Sequence, residues 1–110
     1  MGEKSAELLR GTLDLLILKT LELEPRHGVA VADRIAQITK GTFVVKPGSL
    51  FPALHRLERD GFIVGQWGET REGRRAKAYT LTAAGRKQLG IERRNWLRVS
   101  LAVGQVLETE

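Results

Sequence analysis

Three observations on this 110-residue chain predict a mainly α, α+β fold. Three segments of helical periodicity come first, at residues 5–23, 29–40 and 49–60. The period then changes to alternation over "FIVGQWGET" and "AKAYTLT", with the turn-like "REGRR" between them. A last segment, from residue 83 to the end, returns to helical spacing. Helix, helix, helix and a two-stranded hairpin is the layout of a winged helix-turn-helix, here with a long C-terminal helix added. The expected division is a winged helix-turn-helix over residues 1–82 and a dimerisation helix over residues 83–110.

Each element has a local reason. Ser5 is the expected N-cap of the first helix, with Glu7 favourable in its first turn. Its leucines at 8, 9, 13, 15, 16, 18, 21 and 23 exceed one stripe, which predicts burial on two sides, by its own core and by a partner. "EPRHG" then breaks the helix. In the second helix Val31, Ile35 and Ile38 mark the inner face, and Lys40–Gly41 is the expected ending. "TFVV" bridges to the third helix, which Asp60–Gly61 closes. The hairpin turns around Gly73, while Gly65 and Gly68 weaken its first strand. Thr82 is the expected N-cap of the last helix, whose apolar residues Leu89, Trp96, Val99, Val103 and Val106 form a heptad-like seam broken at Glu92. About 25 residues of helix extend roughly 37 Å, more than so small a body covers, so the seam calls for a second copy.

Composition bounds the function. Apolar content of 42% and charged content of 28% suit a globular domain, and no apolar run is long enough to cross a bilayer. With no cysteine there is no disulfide, thiolate zinc site or thiol nucleophile, which fits a cytoplasmic chain. The net charge of +5 is unevenly spread: residues 1–45 balance at six basic and six acidic. Residues 46–81 carry seven basic against four acidic, and residues 82–110 five against three. The excess begins at the third helix, and a polyanion is the partner such asymmetry favours.

That helix lies in "KPGSLFPALHRLERDGF". At 100° per residue Leu50, Leu54 and Leu57 fall within about 60°, with Pro52, His55, Arg56 and Arg59 opposite and Ser49 and Phe51 on the flanks. With Ser49 as N-cap, Pro52 stands at N3, where its missing N–H costs nothing. Ser49 and the first-turn amides can bind a phosphate. His55, Arg56 and Arg59 can reach phosphates or the guanine N7/O6 edge, and Phe51 a thymine methyl. Alone, this face also reads as a solvated surface. The hairpin tip favours binding: Arg71, Arg74, Arg75 and Lys77 crowd seven residues against one glutamate, as a wing needs in order to grip backbone.

"GTLDLLILKTL", "GSLFPALHRLERDGFI", "RRAKAYTLTAAGRKQL" and the tryptophan-bearing tail resemble the PadR family of bacterial transcriptional regulators across roughly residues 8–98. The resemblance implies a cytoplasmic winged-helix homodimer that binds a pseudo-palindromic operator and usually represses transcription. It puts the recognition helix on residues 49–60 and the wing on residues 71–77. Phe51 stands where members often carry tyrosine, so a hydroxyl within reach of phosphate is absent. The tail ends at Glu110, as in the short members that lack a larger C-terminal region.

Enzyme chemistry finds no support, and neither a cofactor nor a metal is expected. The two histidines, His27 and His55, are far apart in sequence, no GxGxxG or GxxxxGK occurs, and Ser49 has no base-orienting acid beside His55. Trp96 has two readings. It packs in the dimer seam, or with its symmetry mate it lines a cleft for a flat apolar effector. The rival function is a winged-helix protein-interaction module without DNA binding, and RNA binding is a third.

Overall fold

The computed structural model describes residues 10–110. Its elements run α1 (Arg10–Leu23), β1 (Arg26–His27), α2 (Gly28–Ile38), α3 (Pro47–Arg59), β2 (Ile63–Glu69), β3 (Arg75–Leu81) and α4 (Ala83–Leu107). Ser5, Glu7 and the first two leucines lie outside the described residues. The strands form one antiparallel sheet in the order β1-β3-β2. This is a winged helix whose sheet has three strands where the sequence predicts two.

The extra strand is β1, within the segment expected only to break α1. Arg26 pairs with Tyr79 and His27 with Ala78. Two residues carry no periodicity of their own. The free edge of β3 supplies their partners, so only the tertiary fold reveals the strand.

The core gathers around α1, which packs against α2, α3, β3 and α4 of its own chain. Ile17, Leu18, Val31, Leu50, Leu54 and Ile63 are its largest fully buried side chains. The second apolar face of α1 is thus largely met within the chain. In α2 Val31 and Ile35 are buried, whereas Ile38, expected on the inner face, is 53% exposed. The helix ends at Ile38 with Thr39 as its C-cap, and Lys40 and Gly41 turn into positive φ (52° and 82°). The Gly41 N–H reaches back to the Ala36 carbonyl at 2.9 Å, which closes the last turn, and Ile38 at the helix end lies beyond the core that covers Val31 and Ile35.

The start of α3 also differs from expectation. Lys46 is the N-cap and Pro47 sits at N1, so Ser49 is inside the first turn. Pro52 is then interior to the helix, where it removes the N–H that would have bonded to the Gly48 carbonyl. That carbonyl lies in an exposed turn, where water can replace the missing donor. The far end follows the sequence: Gly61 adopts φ 80° and the Phe62 N–H bonds to the Leu57 carbonyl at 3.0 Å.

The hairpin runs in register from Ile63↔Leu81 at its base to Glu69↔Arg75 at its tip, with Gly73 at φ 79° in the turn. Thr82 then caps α4, its Oγ1 accepting from the Gly85 N–H at 3.0 Å and donating to the Gly61 carbonyl at 2.7 Å. Leu89 is only 3% exposed and belongs to the core of its own domain, which corrects its place in the seam. Beyond it Trp96, Val99, Val103 and Val106 are exposed, as are Leu97 and Leu101. No helix among the described residues is long and apolar enough to cross a membrane.

Gly85 is where α4 is pinned to the hairpin base. A Cβ there would run into the Phe62 carbonyl and the Leu81 Cδ1 atom. Gly85→Ala should destabilise the domain by about 2 kcal/mol, a fall of roughly 10 °C in Tm. A Cβ at Gly90 meets only an Arg94 guanidinium nitrogen at 3.4 Å, so Gly90→Ala should be neutral or gain up to about 1 kcal/mol. Thermal melts of the two variants check the pair, and equal Tm values would contradict the packing described.

Candidate nucleic-acid interface

The leucine stripe of α3 decides which side chains reach solvent. Leu50, Ala53, Leu54 and Leu57 are buried, and the opposite arc holds Pro52, His55 and Arg59, all exposed. Ser49 and Phe51 are exposed on the flanks. The first-turn amides offer less to an anion than expected, because Pro47 has no N–H and the Ser49 and Leu50 N–H groups both bond to the Lys46 carbonyl, at 3.0 and 2.9 Å. Arg59 contacts its neighbour Asp60 at 3.2 Å while remaining largely in solvent.

Arg56 departs from its expected place on the outer arc. Its Nη2 donates to Asp14 Oδ1 at 2.9 Å, and both side chains are about four-fifths covered. On the wheel Arg56 lies nearest the flank that meets α1, and the carboxylate there draws the guanidinium inward. It ties α3 to α1 instead of facing out.

On the other flank α3 faces the hairpin. Phe51, His55 and Glu58 recur at helical spacing along that side. The strand residues on the inner face of the hairpin alternate as Ile63, Gly65 and Trp67 in β2, opposite Leu81, Tyr79 and Lys77 in β3. Between the two walls lies an open groove of about 640 Å³, lined by Phe51, His55, Glu58, Trp67, Arg75 and Tyr79 among others. Trp67 is 58% exposed, with the Arg75 guanidinium 4.8 Å from its ring centroid. Neither Trp67 nor Glu58 is among the site residues expected from sequence. Strand alternation from Ile63 and the helical spacing from Phe51 are the signals that point to them.

The cationic tip is made of Arg71, Arg74 and Arg75, all exposed and without an ion pair among the described residues. Lys77, expected with them, turns inward instead: its Nζ donates to Glu58 Oε1 at 2.8 Å. The Glu58 carboxylate also accepts the Gly65 N–H at 3.1 Å. The Lys77 hydrogen bond, seconded by that amide, holds the Glu58 carboxyl below the ordinary glutamate range, and the same bond raises Lys77. Burial raises the Tyr79 phenol. A depressed carboxylate contributes its stabilisation at neutral pH and loses it as pH falls through and below the usual range near 4, so this tie is intact at neutral pH.

Along α4 the expected seam residues Trp96, Val99, Val103 and Val106 share one exposed face. Trp96 and Val99, with Leu15, also border a crevice of about 230 Å³ against the start of α1. Among the described residues no three His, Asp or Glu side chains converge to hold a metal ion.

Comparison with known proteins agrees with this architecture. The profile of the "Transcriptional regulator PadR-like family" matches residues 17–91. The transcriptional regulator Rv3488 of Mycobacterium tuberculosis is 34% identical over 88 residues, 80% of this chain and 78% of that protein. A transcriptional regulator from Clostridium thermocellum superposes with TM-score 0.80 at 27% identity, covering 87% of this chain and 93% of that one. A PadR family transcriptional regulator from Eggerthella lenta gives TM-score 0.79 at 30% identity, over 92% and 86%. The family signature spans the helix, hairpin and capped α4 start described above, and this chain belongs to the PadR-like family of transcriptional regulators.

Proposed function

We propose that this regulator binds duplex DNA as a homodimer, with α3 as its recognition helix in the major groove and the β2–β3 hairpin as a wing on the flanking backbone. The observation that carries this reading is the exposed arc of Pro52, His55 and Arg59 beside a hairpin tip holding three arginines, Arg71, Arg74 and Arg75, without ion pairs among the described residues. An exposed cationic pair of elements around one open groove matches the charge and shape of a phosphate backbone with a groove beside it.

Residues 1–82 then act as the DNA-binding unit and residues 83–110 as the dimerisation helix. The exposed apolar face of Trp96, Val99, Val103 and Val106 is the natural contact between copies, since such a stripe on a helix in water favours a second helix. Two recognition helices would enter successive major grooves about 34 Å apart, on a pseudo-palindromic operator. Repression follows when such a site overlaps a promoter. Trp96 beside a crevice at the α1–α4 junction also supports a flat apolar effector bound there and coupled to the dimer.

The rival readings, RNA binding and protein docking, separate from this one by titration with duplex DNA and RNA at two salt concentrations. Duplex binding should weaken steeply with salt. Arg74→Ala with Arg75→Ala should lower affinity for operator and random DNA alike and reduce the salt slope by about 2, one for each phosphate no longer neutralised. Equal slopes for mutant and wild type would remove the wing from the backbone.

His55 and Arg56 should behave differently from each other. His55→Ala should narrow the gap between operator and random DNA by roughly 1–3 kcal/mol, as removal of a base-reading side chain does. Arg56→Ala should leave that gap unchanged and instead lower thermal stability, because its guanidinium is held by Asp14. The reverse pattern in binding and melting assays would move base reading to the α1-facing side of α3.

A further inference from the structure

We propose that Glu58 is a positioning residue for DNA binding, a latch that fixes the angle between the recognition helix and the wing. The inference deepens the DNA-binding reading and rests on it.

Glu58 bridges α3 to both strands of the hairpin at once. One oxygen takes the Lys77 ammonium of β3 at 2.8 Å, and the other takes the Gly65 amide of β2 at 3.1 Å. The route exists because residue 65 is glycine. The Lys77 stem crosses the inner face of the hairpin where a Cβ at 65 would stand, and that atom would overlap Lys77 Cε and crowd Glu58 Oε2. The ammonium is further held between two rings, 5.9 Å from the Trp67 centroid and 5.7 Å from that of Tyr79. A lysine so enclosed, with about a quarter of its side chain exposed, serves the inside of the wing and not its tip.

The lever arm makes the latch matter. Ile63, Leu81 and Tyr79 anchor the hairpin base in the core, and the latch acts further out, at Gly65 of β2 and at Lys77 of β3, two inward-facing positions beyond Leu81. Seven strand residues span about 23 Å, so a tilt of about 10° at the base moves the tip by about 4 Å. That displacement exceeds the length of a hydrogen bond, so an unlatched wing would not place its arginines on phosphates while α3 occupies the groove. Packing of α3 on β2 persists without the latch, and the wing then pivots about a hydrophobic base with no charged tie to set its angle.

Glu58→Gln separates positioning from simple electrostatics, because the two predict opposite signs. Removing a negative charge near a polyanion, by itself, tightens binding. Loss of the latch should weaken duplex binding about fivefold and reduce the salt slope by about one for each phosphate the wing no longer reaches. In a Trp96→Phe background, acrylamide should quench Trp67 more strongly in Glu58→Gln than in the parent. Lys77→Met should reproduce that quenching, and Lys77→Arg, which keeps the ion pair, should restore the parent behaviour. Glu58→Gln binding DNA as tightly as wild type or more tightly would overturn the proposal, whatever the fluorescence shows. If wild type itself shows no salt-dependent duplex binding, the DNA reading fails. The latch is then decided by Trp67 alone, raised quenching supporting it and unchanged quenching overturning it.

Discussion

Burial of one leucine stripe on α3 is the constraint on which the rest of this molecule depends. Leu50, Ala53, Leu54 and Leu57 are each no more than 3% exposed, packed on α1, α2 and the sheet. Each fully buried leucine contributes about 1.5–3 kcal/mol, so three of them fix the rotation of a short helix about its axis. Once that rotation is set, the arc of Pro52, His55 and Arg59 must face water. A helix with leucines on one side and an interior proline on the other is thus oriented by its core, and forgoes one of its own hydrogen bonds at Pro52. The missing bond at Pro52 is tolerable only because the opposite face is so well packed.

The flanks of the same helix carry charges that the protein keeps for itself. On one side Arg56 is joined to Asp14 of α1, and on the other Glu58 is joined to Lys77 of β3. These two ion pairs, a few residues apart, tie α3 to the helix behind it and to the hairpin beside it. At the hairpin tip Arg71, Arg74 and Arg75 stay exposed without an ion pair among the described residues. Around α3 and the hairpin the positive charge thus divides into a structural part, Arg56 and Lys77, and an outward part, Arg59 and the tip arginines, and the second is open to a polyanion. Trp67, stacked under Arg75 on the groove wall, joins the two parts.

Features set by local chemistry were legible in the sequence. The leucine spacing marked the buried face of α3, Gly61 and Gly73 marked its end and the hairpin turn, and Thr82 marked the cap of α4. The features it did not yield depend on what stands opposite. Arg56 and Lys77 look like free cations in sequence, and only the carboxylates brought near by the fold reveal their direction. The α3 start was read with Ser49 as N-cap, whereas the helix begins two residues earlier at Pro47, whose rigid φ suits N1. Leu89 and Trp96 share one helical stripe, yet the first is covered by its own domain and the second emerges beyond it, a boundary no periodicity marks. The two-residue β1 had no pattern to read.

In the proposed complex a duplex meets the exposed arc of α3 and the arginine tip of the hairpin together. Titration of isotopically labelled protein with operator duplex, followed by amide and side-chain chemical shifts, tests it directly. The largest changes should fall at Ser49, His55, Arg59 and residues 71–75, with Ile38 and the outer hairpin face at Val64 and Gln66 unmoved. Changes centred on α2 or on that outer face, with the α3 arc silent, would contradict it.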